Sequence, residues 1–262
     1  MEFKYIIYAM EEGIATITLN RPRSLNDATP HLQDELAGAI EAAGMDAEVR
    51  VVVITGSGRA FCSGGNPRQL ARLQGTPRET IFNLRHRLHR IARAAASLEK
   101  PYLGAINGPA VGVGMDLASM CDIRVASERS RFGMLYVRMG VSPRGGGCYY
   151  LPRIVGVARA CELIWTGRVM DAAEALHMGY VSRVVPHEEL MAATMELARQ
   201  LARGPSVAMG QAKRQIYSGL LTDVNTALED QVQAALIETT TEDGWEGFRS
   251  WVEKREPIFK GR

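Results

Sequence analysis

Residues 51–66 read VVVITGSGRAFCSGGN. Arg50 to Thr55 (RVVVIT) is a continuous β-branched run, the pattern of a strand buried on both faces. The glycine-rich stretch 56–66 that follows it is a loop. A second segment repeats the idea: a short strand at 102–106, then Asn107-Gly108-Pro109-Ala110-Val111-Gly112-Val113-Gly114, then a helix through about Met120. Each loop leaves the C-terminal end of a buried strand shortly before a helix. Helix N-termini carry unpaired N–H groups and a partial positive charge, and glycine lets a ligand approach the backbone closely. Two such loops aimed at one point would hold an oxygen that becomes negative during a reaction. Taken singly, each also fits glycines that merely make tight turns. Neither matches the dinucleotide fingerprint, since Leu117 stands three places after Gly114.

Outward from these segments, 3–9 and 14–20 read as a β-hairpin around Glu-Glu-Gly. Thr29 and Pro30 open a helix whose apolar stripe is Leu32, Leu36, Ala39, Ile40 and Ala43. Thr76 and Glu79 have capping-box spacing, predicting a helix to about Leu98 with Ile81, Leu84, Leu88 and Ile91 on one face. Asp122–Ala126 is the next strand. This alternation of strands and helices predicts an α/β fold with mostly parallel pairing. From Val157 onward helices dominate, at roughly 157–164, 171–177, 187–203, 205–220, 223–238 and 242–255, with one strand at 180–185. The division expected is a core of residues 1–203 and a helical region of 204–262, with the boundary near Arg203-Gly204-Pro205. A helical appendage of that kind packs on a partner subunit or back on its parent domain.

The 262 residues suffice for a sizeable core. Lys and Arg number 31 against 29 Asp and Glu, a net charge of +2. That balance gives no general attraction to nucleic acid or to an acidic membrane surface. The opening MEFKYIIYAMEEG is interrupted by charge and does not read as a signal peptide, and the uncharged stretch 101–115 is too short to span a bilayer. Cys62, Cys121, Cys148 and Cys161 form no CxxC pair and have no metal-type histidine beside them, so buried reduced thiols, no metal site and a cytoplasmic protein are expected.

Asp116 lies just inside the helix after the second loop, where a carboxylate serves either as a base or as a dipole-stabilising residue. Tyr136 by itself reads as a packed aromatic with a solvated hydroxyl. The run Pro143-Arg144-Gly145-Gly146-Gly147 must bend. His86, His89, Arg85, Arg87 and Arg90 read as a solvated charged face of one helix.

Together, ITLNRPRSLNDA (17–28), residues 51–66, KPYLGAINGPAVGVGMDLASMCDIRVAS (100–127), FGMLYVRMGVSPRGGG (132–147), LPRIVG (151–156) and the C-terminal EGFRSWVEKREPIFKGR (246–262) resemble the crotonase family, the enoyl-CoA hydratase/isomerase superfamily. The resemblance implies a spiral of ββα units followed by a helical trimerisation region, assembled as a trimer or a dimer of trimers. It also implies an acyl-CoA thioester as substrate, with no further cofactor. By position, the N–H groups of Gly65 and Val113 would form the oxyanion hole. Ser63, Gly64, Gly65 and Asn66 would line the adenine and pantetheine end beside Arg23, Ser24 and Leu25, and Phe259 and Lys260 would close over the nucleotide from a neighbouring subunit.

The sequence departs from the family pattern at the acid/base positions. Family hydratases carry two glutamates; here those positions hold Asp116 and Tyr136, and a phenol of reference pKa about 10 is no resting base. Arg144 stands where some family isomerases use a carboxylate, and could pair with Asp116 or with an acidic substrate group. The reading ranked first is an enoyl-CoA hydratase-like enzyme. The alternatives are a double-bond isomerase or C–C or thioester hydrolase working through Asp116 alone, and a non-catalytic acyl-CoA binder. RNA binding through the Arg85–Arg90 helix is disfavoured by the net charge. Pocket walls are expected from 67–90, Met134, Leu135 and the C-terminal helices, with Arg68, Arg72 and Arg85 pointing towards polar or acidic acyl groups.

Overall fold

The structure, a computed structural model, describes residues 3–66 and 76–262. Strands β1 (Ile6–Glu11) and β2 (Ile14–Leu19) form the hairpin, with Glu11 paired to Ile14. Its turn is Glu12-Gly13, both at positive φ, the backbone a two-residue hairpin requires. This tight turn keeps Met10 and Glu11 in the first strand, so that strand lies further along than 3–9.

Helix α1 (Pro30–Met45) follows, capped by Thr29, whose hydroxyl accepts from the Leu32 N–H. Strands β3 (Val51–Gly56) and β4 (Tyr102–Ile106) come next, separated by α2 (Pro77–Asn83), a π-helical turn (Leu84–Leu88) and α3 (His89–Ala96). The Thr76–Glu79 capping box is present. The expected single helix runs from Pro77 to Ala96 with the π-helical turn inside it; Leu88 and Ile91 of its apolar stripe are buried in the core, Leu84 packs half-buried against it, and Ile81 stays exposed.

After β5 (Ala110–Val111) come α4 (Val113–Ser119), β6 (Ile123–Ser127) and β7 (Arg131–Gly133). They are followed by α5 (Gly147–Val155), α6 (Val157–Thr166), β8 (Val169–Asp171), α7 (Ala172–His177) and β9 (Arg183–Val185). The chain ends in α8 (Leu190–Ala202), α9 (Ser206–Gly219), α10 (Val224–Glu238) and α11 (Glu242–Glu253).

The main sheet runs β1-β2-β3-β4-β6-β9, parallel from β2 onward; a smaller sheet runs β5-β7-β8. Both faces of β3 are covered, as its β-branched run requires. Val52 and Ile54 pack into the core shared with α1, whereas Val51 and Val53 pack under Leu190, Ala198 and Ala202 of α8. Burial of this kind stabilises by about 25 cal/mol per Å² of apolar surface.

Strands β5, β7 and β8 and helix α5 were absent from the sequence reading. Strand β8 adds a second strand after Val157, too short to show a period of two. Helix α5 begins on Gly147 and contains Pro152, residues that mask a helical pattern. Among the described residues no helix is long and apolar enough to cross a membrane.

Candidate active site

Parallel strands release their chains at the same edge of the sheet, so the loops after β3 and β4 emerge side by side. They are joined backbone to backbone. Cys62 bridges Ala110, and the Val111 N–H donates to the Cys62 carbonyl at 3.0 Å. Gly64 holds φ at +80°, and a Cβ there would lie 2.7 Å from the Val111 carbonyl oxygen and 3.3 Å from the Val113 nitrogen. A Cβ on Gly114 would lie 2.0 Å from the Cys62 carbonyl oxygen. No side chain fits at such approaches, which is why both loops carry glycine. Gly65 and Val113, the residue that opens α4, flank this contact. Among the described residues neither gives its main-chain N–H to an acceptor.

Asp116 stands one turn beyond Val113 on the same side of α4. Its side chain is wholly buried, and Oδ2 accepts from the Tyr136 hydroxyl and from the Gly145 N–H, the latter at 3.0 Å. Oδ1 has no hydrogen-bond partner among the described residues. Burial lifts the Asp116 carboxyl to a pKa of about 7, opposed by the Tyr136 hydroxyl and by the Gly145 and Gly147 amides. Burial and the neighbouring carboxylate push the Tyr136 phenol far above its ordinary value. Gly145 and Gly147 are glycines because a Cβ on either would meet an Asp116 carboxylate oxygen, at 2.5 and 2.6 Å respectively.

A second cluster gathers where 21–28 meets 63–66. The Ser63 N–H donates to the Leu25 carbonyl at 3.0 Å, and the Ala28 N–H donates to the Gly64 carbonyl at 2.8 Å. Asp27 accepts from Arg21, Ser24 and Asn66. Ser24, Leu25, Ser63, Gly64 and Asn66 are therefore neighbours, with Arg23 exposed beside them. Phe259 and Lys260 are elsewhere in the chain. The Phe259 carbonyl accepts from the Arg50 guanidinium, ahead of β3, and the Lys260 N–H donates to Asp243. That is the opposite end of β3 from Gly65.

Several expectations need correction. The Tyr136 hydroxyl is not solvated but committed to Asp116. Arg144 makes no ion pair with Asp116 among the described residues; its carbonyl instead bonds His89 at 3.0 Å. The basic helix is not simply a solvated face, since Arg87 pairs with Asp34 and Arg90 with Glu41. Cys62 and Cys121 are buried, but Cys148 is exposed and Cys161 half-buried. Arg68 and Arg72 lie outside the described residues. Gly145, Gly147 and His89 were missed as site residues; two glycines spaced by one in PRGGG were read only as a bend, although close approach to a side chain was the available signal. Among the described residues no group of His, Cys, Asp and Glu could hold a metal ion.

Two joined glycine loops at the ends of adjacent parallel strands, with a buried carboxylate one turn beyond, are the arrangement expected of a crotonase-type acyl-CoA enzyme. The enoyl-CoA hydratase/isomerase family model matches residues 9–262, and the chain belongs to that family of enzymes. It is 34% identical over 267 residues to the short-chain-enoyl-CoA hydratase of Clostridium acetobutylicum, covering all of both chains. It is 32% identical over 261 residues to the 1,2-epoxyphenylacetyl-CoA isomerase of Escherichia coli, covering 99% of each. The crystal structure of enoyl-CoA hydratase from Bacillus anthracis superposes with a TM-score of 0.93 at 33% identity, covering 99% of this chain and 100% of that one.

Proposed function

We propose that the chain is an enoyl-CoA hydratase-like enzyme that works through a thioester enolate. The observation that carries this reading is the buried Asp116 carboxylate, one turn from Val113, with its Oδ2 held by the Tyr136 hydroxyl and the Gly145 N–H. The Gly65 and Val113 N–H groups take the thioester oxygen and stabilise the charge that develops there; one such donor lowers the barrier by about 2.7–4 kcal/mol. Ionised Asp116 takes a proton at Oδ1 from a water whose oxygen bonds the β-carbon. It returns that proton to the α-carbon as the enolate collapses. Tyr136 acts as a fixed donor that orients Asp116 and favours its ionised form. Ser24, Leu25, Ser63, Gly64 and Asn66, with Arg23 at the rim, supply the surface for the nucleotide and pantetheine. The thioester arrives as substrate, and no resident cofactor enters the scheme.

The test is incubation of the purified chain with crotonyl-CoA in heavy-oxygen water. Loss of the conjugated absorbance, with one labelled oxygen in the product, supports the reading. Binding without turnover across short and medium 2-enoyl-CoAs overturns it.

One observation favours a second reading, double-bond isomerisation: the Tyr136 proton is committed to Asp116, leaving a single group to move hydrogen. In that reaction Asp116 takes the α-proton of a 3-enoyl thioester and delivers it to the γ-carbon. A 3-enoyl-CoA converted to the 2-enoyl isomer faster than the latter is hydrated would select this reading.

Residues 204–262 are assigned to self-association as a trimer or a dimer of trimers. Support comes from apolar side chains left exposed on the last helices, among them Leu228, Val232, Leu236, Phe248 and Trp251. A cytoplasmic location fits an exposed free thiol at Cys148.

A further inference from the structure

The 144–145 peptide unit carries two hydrogen bonds, one at each end. Its N–H donates to Asp116 Oδ2 at 3.0 Å, and its carbonyl, that of Arg144, lies 3.0 Å from His89 Nε2. A carbonyl oxygen can only accept, so Nε2 of His89 carries a proton. His89 opens α3 directly after the π-helical turn Leu84–Leu88, the kind of interruption found disproportionately at functional sites. It is half-buried, on a helix that packs on α1, and reaches the 143–147 loop through the Arg144 carbonyl. The loop is also held by the Arg144 N–H against the Tyr136 hydroxyl and by the Gly146 carbonyl, which accepts from Tyr149 and Tyr150, but its three successive glycines leave the backbone permissive, with Gly146 at φ +100°. Polarising the carbonyl of a peptide makes its N–H a stronger donor, so hydrogen bonds in such a chain reinforce one another.

We propose that His89 is a positioning residue for the proton-transfer step: by donating to the Arg144 carbonyl it aims the Gly145 N–H at Asp116 Oδ2 and holds Asp116 in its ionised form. The proposal rests on the reading of Asp116 as the proton carrier. It adds a residue that touches no substrate and lies 27 positions upstream of the carboxylate it serves. The other titratable groups facing Asp116 come from separate elements: Cys62 from the loop after β3, Tyr136 from the turn Leu135–Met139, Cys148 from α5, and Tyr180 from ahead of β9. Each is raised above its ordinary value and is neutral at pH 7. None of them adds a charge of its own to the titration of Asp116.

Two substitutions separate hydrogen bonding from shape and charge. His89→Phe keeps a ring and removes the donor. His89→Gln removes the ring and any positive charge but keeps an N–H at the place of Nε2. The readout is the carboxyl carbon-13 titration of Asp116, assigned by its absence in Asp116→Asn and followed alongside the pH profile of kcat. His89→Phe is expected to raise the Asp116 midpoint by about half a pH unit, less than the loss of a direct donor would, because it weakens the Gly145 donor without removing it. The acid limb of kcat should move by the same amount, with KM changed less than kcat. His89→Gln should return the midpoint to the parental value. A midpoint unmoved in His89→Phe, or a His89→Gln midpoint that follows His89→Phe, overturns the proposal. Failure of the underlying reading looks different: Asp116→Asn would retain turnover while the carboxyl titration still responded to His89.

Discussion

Tyr136 and Asp116, twenty residues apart in sequence, share one buried hydrogen bond in which the phenol donates to Oδ2. The phenol cannot ionise there, because burial and the adjacent carboxylate both oppose it. Its effect is therefore exerted on the aspartate. Tyr136→Phe removes a donor to the ionised carboxylate, so the Asp116 midpoint should rise above about 7. The acid limb of kcat should move up by about one pH unit, because hydrogen bonds to charged groups contribute about 1.5–3 kcal/mol. A pH–rate profile unchanged between the parent and Tyr136→Phe would remove the tyrosine from the site.

Asp116→Asn should lower kcat by about 10²–10⁴-fold, the range for a lost general acid/base. It should also change how stability depends on pH. Burial raises the folded-state pKa of Asp116 from 3.8 to about 7. Between those values the folded chain binds more protons at this site than the unfolded chain, so this contribution to stability is full below about 4 and lost as pH rises through about 7. Asp116→Asn lacks that loss. Its melting temperature relative to the parent should climb across this window, as differential scanning fluorimetry at a series of pH values will read.

Glycines that look alike in the sequence should respond differently to alanine. Gly114→Ala places a Cβ 2.0 Å from the Cys62 carbonyl and should separate the two loops, destabilising by about 1–3 kcal/mol as overpacking does. Gly38, inside α1, has nothing within 4 Å of its added Cβ and an ordinary helical backbone. Gly38→Ala should stabilise by roughly 0.5–1 kcal/mol. Denaturant titration of both variants checks the contrast.

On α10, Leu228, Val232 and Leu236 recur at every fourth residue and are 50%, 51% and 59% exposed, making one apolar face. Val232→Asp should shift the sedimentation coefficient to that of a smaller species if this face joins copies of the chain. An unchanged sedimentation profile would assign self-association to another surface.

The parts legible in the sequence were those with local causes. Thr29 and Thr76 announced their helices because capping depends on adjacent residues. The run 51–55 announced a doubly buried strand because its neighbours cover both faces. Loops 61–66 and 107–114 were visible through their glycines. What stayed hidden depends on contacts across the fold. The Tyr136 hydroxyl looked solvated because nothing near it in sequence shows that Asp116 lies against it. Strand β8 exists through its pairing with β7, not through its own three residues. Arg87 and Arg90 read as surface charges because their partners Asp34 and Glu41 are on α1.

Arg50 fastens the chain's tail at the entrance to β3, through the Phe259 carbonyl, whereas Gly65 lies past its exit. A six-residue strand spans about 20 Å, so the chain's own tail is tethered away from its own Gly65. If Phe259 and Lys260 serve a nucleotide, they serve that of an adjoining copy. Affinity for the CoA moiety then becomes a collective property: a preparation diluted until its copies part would bind the acyl portion through intact loops yet grip the nucleotide less firmly.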